Sequence, residues 1–171
     1  MADRLIEAMT KSAARQYGRE RVNELAHALQ CAELADGAGA DEEIVLACLL
    51  HDVGRYAVAQ VGISDTLEQA GTRAGTARGH HEAGADLVAP YVSERIVFLI
   101  RAHADAKRYL CAIEPGYYDT LSKGSKHTLT LQGGVMTAEE AARAVGRSAH
   151  AVRHELRVAR AWLRRELGRS R

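Results

Sequence analysis

Apolar residues recur at intervals of three and four along most of this 171-residue chain, and only two prolines are present to interrupt them. That spacing lines one face of a helix, whereas the alternation of a half-buried strand is nearly absent, so the chain is confined to an all-α fold. Abundant alanine and leucine favour the same outcome. The periodicity predicts helices near 3–16, 20–36, 41–53, 80–89, 93–110, 116–122, 126–132 and 137–167. Between the third and fourth lies GISDTLEQAGTRAGTARG, residues 62–79, poor in apolar groups and read as a mobile loop. The length suits one domain, 1–171, large enough to bury a core.

A formal charge of +1 at pH 7 provides no global attraction to nucleic acid or to a membrane. No apolar run reaches the roughly 20 residues of a membrane span. The opening MADRLIEAMTKSAARQYG mixes acids and bases and does not read as a signal peptide, so a cytoplasmic protein is expected. Cys31, Cys48 and Cys111 are an odd number, sit among Ala, Leu or Ile, and form no CxxC pair. They read as reduced packing residues, in keeping with a reducing compartment.

The chemistry concentrates in histidine. LACLLHDVGR, residues 46–55, is an apolar run ending in His51 and Asp52. Asp41 suits the cap of that helix, Glu42 and Glu43 its first turn, and Gly54 its C-terminal stop, so the pair could be simply the polar end of a core helix. His27 lies in RVNELAHALQCAEL, where Leu25 and Leu29 mark one face and His27, Cys31 and Leu34 another, which predicts a central helix apolar on two sides. His80 and His81 open HHEAGADLVAP. In SERIVFLIRAHADAKRYL, Ser93 suits the cap, and Ile96, Ile100, His103 and Lys107 share one stripe. Several buried imidazoles cost a few kcal/mol each if left unpaired, so inward-facing histidines need a shared partner. A first-row transition metal is the economical one, and a carboxylate such as Asp52 can bridge two ions.

LLHDVG, preceded by one helical histidine and followed by two more, resembles the HD-domain metalloprotein superfamily. The segment HADAKRYLCAIEPGYYDTLSKGSKHTLTLQGG, residues 103–134, is similar to its phosphonate-degrading branch. The resemblance implies an all-α HD-type bundle with a metal site in its core, holding a mixed-valent di-iron centre (Fe2+/Fe3+). It implies an oxygenase that uses O2 to cleave the C–P bond of a 2-amino-1-hydroxyethylphosphonate-type substrate, giving glycine or an N-methylated analogue and phosphate. The iron ligands map to His27, His51, Asp52, His80 and His103, with Asp52 as the bridge. His80 is preferred over His81 because the family reads His-x-x-x-Gly-Ala, and Gly84 follows His80 by four.

The resemblance further assigns the phosphonate to Lys107, Ser125, Thr128, Gln132 and Arg157. Tyr17 would plug the open iron site until substrate arrives, and Glu20 would receive the amino end. A phosphonate dianion wants cations and hydroxyl donors, and an ammonium wants a carboxylate. Tyr17 and Glu20 would share a side with His27 on a continuous helix, which Gly18 interrupts; they could equally be ordinary residues of a helix start. Ser125 could merely cap a short helix.

The pattern departs in the tail. No aspartate follows Asp119, and Arg160 stands where the family places a late metal-binding Asp; Glu155 and Glu166 are the substitutes at hand. An arginine cannot ligate a cation. From Thr137 onward a divergent basic segment, 137–171, opens with the capping box Thr137–Glu140 and carries nine arginines against four glutamates. It lacks the aromatic interleaving of a nucleic-acid surface and reads as a solvated helix. Two rivals stand beside the oxygenase: an HD phosphohydrolase, in which the metals would activate water, and a non-catalytic remnant. Oligomeric state is not legible.

Overall fold

A computed structural model describes residues 2–18, 20–60, 79–114 and 116–144. The expected loop at 62–78, and the tail from 145 with Glu155, Arg157, Arg160 and Glu166, lie outside the described residues. The chain forms two compact units, Met1–Ala104 and Asp105–Arg171. Among the described residues every regular element is a helix, and none is long and apolar enough to cross a membrane.

The first unit holds α1 (Ala2–Ser12), α2 (Glu24–Gly37), α3 (Glu42–Leu50), α4 (Val53–Gln60), α5 (His80–Val88) and α6 (Glu94–Ile113) as far as Ala104. Three of its helices, α2, α3 and α6, begin where a short polar side chain satisfies an orphan N–H group. Asn23 accepts from the Ala26 N–H at 2.7 Å, Asp41 from Ile44 at 3.0 Å and Ser93 from Ile96 at 3.3 Å. The core is built from Ala8, Ala47, Leu50, Val53, Tyr56, Ala85, Val88, Ile96 and Ile100.

Three expectations are corrected here. The helices foreseen at 3–16 and 20–36 are each shorter on the facing side: α1 stops at Ser12 and α2 starts at Glu24, while Gly18 between them takes a φ of 52°, outside the right-handed helical range. The link folds back on itself, with Tyr17 N–H donating to the Val22 carbonyl and Glu24 N–H to that of Arg15, both at 2.9 Å. Nor is α2 apolar on two buried sides. Leu29 and Leu34 are 52% and 75% exposed; the main packing partners of α2 are α3 and α1.

Gly54, third, does not stop a helix. The chain turns at His51 and Asp52, and Gly54 is the second residue of a fresh helix, α4. A Cβ on Gly54 would sit 2.0 Å from the His80 carbonyl oxygen and 2.7 Å from the Gly84 nitrogen; one on Gly84 would sit 2.9 Å from the Gly54 nitrogen. Two glycines therefore face each other where α4 and α5 touch backbone to backbone. One buried ion pair also ties α4 to α2: Arg55 Nε donates to both Glu24 carboxylate oxygens, at 3.1 and 3.2 Å. Glu24 is 3% exposed, and burial outweighs Arg55 in raising its carboxyl above the ordinary value.

In the second unit α6 continues from Asp105 and is followed by α7 (Tyr117–Thr120), α8 (Lys123–Leu131) and α9 (Ala138–Ala144). Ser122, rather than Ser125, caps α8, accepting from the Ser125 N–H at 3.0 Å. The capping box at Thr137 and Glu140 forms in both directions, at 3.1 and 2.8 Å. Arg108 gathers this unit by donating to Gly134 O (3.0 Å), Asp105 (3.1 Å) and Glu140 (2.8 Å), beside a small core of Met136, Ala141 and Ala142.

Two stability outcomes follow. Gly54→Ala forces a methyl group into the α5 backbone and lowers the unfolding free energy by about 3 kcal/mol or more in a denaturant titration. Glu24→Ala, which strips Arg55 of its buried carboxylate, costs about 3–5 kcal/mol, whereas the apolar pair Glu24→Leu with Arg55→Met recovers most of that loss.

Candidate metal centre

The turn after α3 delivers its carboxylate into the interior: Asp52 is 3% exposed. Around it four imidazoles arrive from separate elements: His27 on α2, His51 in the turn itself, His80 at the first position of α5, and His103 on α6. Each carboxylate oxygen serves one pair. Oδ2 lies 3.2 Å from His51 Nε2 and 3.7 Å from His27 Nε2. Oδ1 lies 3.0 Å from His80 Nε2 and 3.8 Å from His103 Nε2. Within each pair the Nε2 atoms approach closely, 3.3 Å for His27 with His51 and 3.2 Å for His80 with His103.

The backbone selects which ring nitrogen faces inward. His51 Nδ1–H donates to the Cys48 carbonyl and His103 Nδ1–H to that of Ile100, each at 2.7 Å. Both rings therefore turn an unprotonated Nε2 toward Asp52, the arrangement metal-binding histidines need. Burial drives His103 down to about 3 and lowers His27 as well, so both are neutral at physiological pH. On His51 burial pushes downward, but the negative charge of Asp52 and the Cys48 carbonyl outweigh it and raise the imidazole. On Asp52 burial pushes upward, but His51 and His80 prevail and hold the carboxyl well below its usual range.

These donors fit two transition-metal ions. With metal–nitrogen bonds of about 2.1 Å, two ligands separated by 90° to a tetrahedral angle stand about 3.0–3.4 Å apart, and the two Nε2 pairs are at 3.3 and 3.2 Å. Asp52 Oδ2 has no hydrogen-bond partner among the described residues, a costly condition in a buried site that a cation relieves. His27, His51 and Asp52 Oδ2 would hold one ion, and Asp52 Oδ1, His80 and His103 the other.

Tyr17 reaches the site from the folded-back link and not from a helix. Its ring stacks on His27, centroids 3.8 Å apart and planes 18° from parallel, while the Arg55 guanidinium carbon sits 4.8 Å from the Tyr17 centroid. Burial first, and then the charge of Asp52, raise the Tyr17 hydroxyl above its ordinary value. Glu20 follows in the same turn, its N–H donating to the Tyr17 carbonyl at 2.9 Å, and its charge acts on His27. His81 stays beside the pair it was set apart from, its ring centroid 5.6 Å from that of His80 and 5.8 Å from that of His103.

The residues expected to bind the phosphonate belong to the second unit. Lys107 Nζ donates to Thr128 Oγ1 at 3.1 Å, and that hydroxyl donates onward to the Ser125 carbonyl at 3.1 Å. Gln132 closes the C-terminus of α8, and its side-chain carbonyl oxygen is buried without a partner among the described residues.

Three residues of the first unit were missed by sequence reasoning. Arg55, inside the quoted LACLLHDVGR, sits over the Tyr17 ring and is held by its partner Glu24. Cys31 was placed on the His27 face and read as packing, yet its Sγ lies 3.7 Å from His27 Nε2.

Comparison with known proteins points the same way. The HD domain family matches residues 25–141. A [1-hydroxy-2-(trimethylamino)ethyl]phosphonate dioxygenase (glycine-betaine-forming) of Leisingera caerulea is 40% identical over 129 residues, 74% of this chain and 61% of that protein. A hydroxymethylphosphonate dioxygenase of Gimesia maris is 36% identical over 123 residues, 72% of this chain and 58% of that one. An uncharacterised protein of Acanthamoeba polyphaga mimivirus is 31% identical over 125 residues, 72% of this chain and 54% of its own. The matched region thus spans about three fifths of the length of these curated relatives. With four imidazoles drawn around the aspartate of its His-Asp pair, the chain belongs to the HD-domain family.

Proposed function

We propose that this protein is an HD-domain oxygenase that uses O2 and a di-iron centre to cleave the C–P bond of a 1-hydroxyphosphonate carrying an amino group, giving glycine or an N-methylated analogue and phosphate. The observation that carries the reading is Asp52, which offers a separate oxygen to each of two histidine pairs. Relatives that act on hydroxylated phosphonates with O2 support the substrate class.

Held one by each histidine pair together with Asp52, two irons would supply the Lewis acidity and redox capacity that O2 chemistry at a phosphonate requires. The remaining roles are assigned to this chain's own side chains. Lys107 supplies a cation to the phosphonate; Thr128, already tied to it, presents a hydroxyl, with Ser125, Gln132 and Arg157 completing the set. Glu20 receives the ammonium group. Tyr17, flat against His27 and with the Arg55 guanidinium over its ring, keeps water from the His27 edge until substrate displaces it. A methylated ammonium cannot donate to Glu20 as a primary amine does, so the choice between them rests on the space near Tyr17 and Glu20.

The test is anaerobic purification with iron analysis, followed by O2 uptake and phosphate release with 1-hydroxyphosphonates bearing a primary or a trimethylated amine, and with nucleotides as the contrast. O2-dependent phosphate release upholds the proposal. Release without O2 replaces it with the phosphohydrolase reading, in which the same ligands activate water. Asp52→Asn is expected to lose bound iron together with turnover. Lys107→Ala should keep its iron and raise KM about ten- to a hundredfold, the worth of one hydrogen bond to a charged group.

A further inference from the structure

The two halves of the centre are not alike. Around His80 and His103 the ligand-type atom contributed by another residue is Asp52 Oδ1. Around His27 and His51 there is also a sulfur: Cys31, four residues beyond His27 on the same face of α2, has its Sγ 3.7 Å from His27 Nε2. Ligand atoms of His27, Cys31 and His51 all lie within 4.8 Å of one another. The buried Asp52 Oδ2, without a hydrogen-bond partner among the described residues, points to the same place, 3.2 Å from His51 Nε2.

The distances are those of a coordination edge. With a metal–sulfur bond of about 2.3 Å and a metal–nitrogen bond of about 2.1 Å, ligands at a tetrahedral angle are about 3.6 Å apart. A thiol at that distance either donates its proton to the His27 ring nitrogen or, deprotonated, shares a cation with it.

We infer that Cys31 is a thiolate ligand of the ion held by His27 and His51, which makes that half of the centre a nitrogen–sulfur site and leaves the His80–His103 half with nitrogen and oxygen donors. The inference rests on the two-metal reading of the centre. Binding converts the thiol to a thiolate and releases its proton to solvent; no electron is transferred. A soft donor on one side alone makes the two positions chemically unequal, the His27–His51 position favouring softer divalent ions such as cobalt or zinc.

The full-length protein, stripped of metal and kept reduced, is titrated with Co2+ while its near-ultraviolet absorption and bound metal are followed. The expected result is two Co2+ per chain with a sulfur-to-cobalt charge-transfer band on filling one of them. Cys31→Ser removes the band and weakens one of the two ions at least about tenfold, the lower bound for changes even beyond the ligands. The double variant Cys48→Ser, Cys111→Ser, which leaves Cys31 as the lone thiol, retains the band and keeps the test decisive if Cys31→Ser does not fold. Two bound Co2+ without that band, or a band that vanishes in the double variant, overturns the cysteine assignment and leaves the two-metal centre standing. A wild-type protein that retains no Co2+ overturns the centre itself, and the cysteine assignment falls with it.

Discussion

A carboxylate withdrawn from water and ringed by imidazoles is the constraint from which the rest of the first unit follows. Asp52 is too buried to be stable as an isolated anion; its company is four Nε2 atoms, two to each oxygen. Such a cluster has two physical solutions, a shared proton or shared metal ions. The backbone acceptors under His51 and His103 tilt the choice, since they consume the Nδ1 protons and leave lone pairs aimed inward. Desolvation keeps His27 and His103 neutral, the form that a metal requires.

The helices around this cluster are arranged to make it. For His80 to come within 3.0 Å of Asp52, the first turn of α5 must lie directly against the first turn of α4, and only glycine at positions 54 and 84 leaves room for that contact. On the opposite side the Glu24–Arg55 pair anchors α2, with His27, to α4, and the same guanidinium faces the Tyr17 ring that covers His27. One partly buried arginine thus connects the stability of the unit with the position of the aromatic cover. In the second unit a different arrangement, Lys107 joined to Thr128, gathers a cation and a hydroxyl suited to an anionic oxygen.

Much of this was legible in the residues. Asp41 and Ser93 cap their helices as their side-chain chemistry dictates, the Thr137–Glu140 box closes, and the histidines expected to share a partner do meet. Capping depends on atoms two or three residues apart, so local sequence suffices. Gly54 shows where local reasoning runs out. Beside an apolar helix it resembles a terminator, but its purpose is set by a helix beginning 26 positions later, and no short-range pattern carries that information. Tyr17 reaches His27 by way of a folded-back link that turns at Gly18, the position that interrupts the helical route.

The order of residues by itself determined the all-helical class, the capped starts at Asp41, Ser93 and Thr137 and the identity of the metal-type side chains, because periodicity, capping and donor chemistry are properties of near neighbours. Tertiary structure decided which oxygen of Asp52 faces which imidazoles, why two glycines must oppose each other, that Arg55 spans Glu24 and Tyr17, and that a cysteine read as packing lies at the edge of the cluster. Those outcomes depend on distances between segments remote in the chain, and such distances come into existence only when the helices close around a common buried charge.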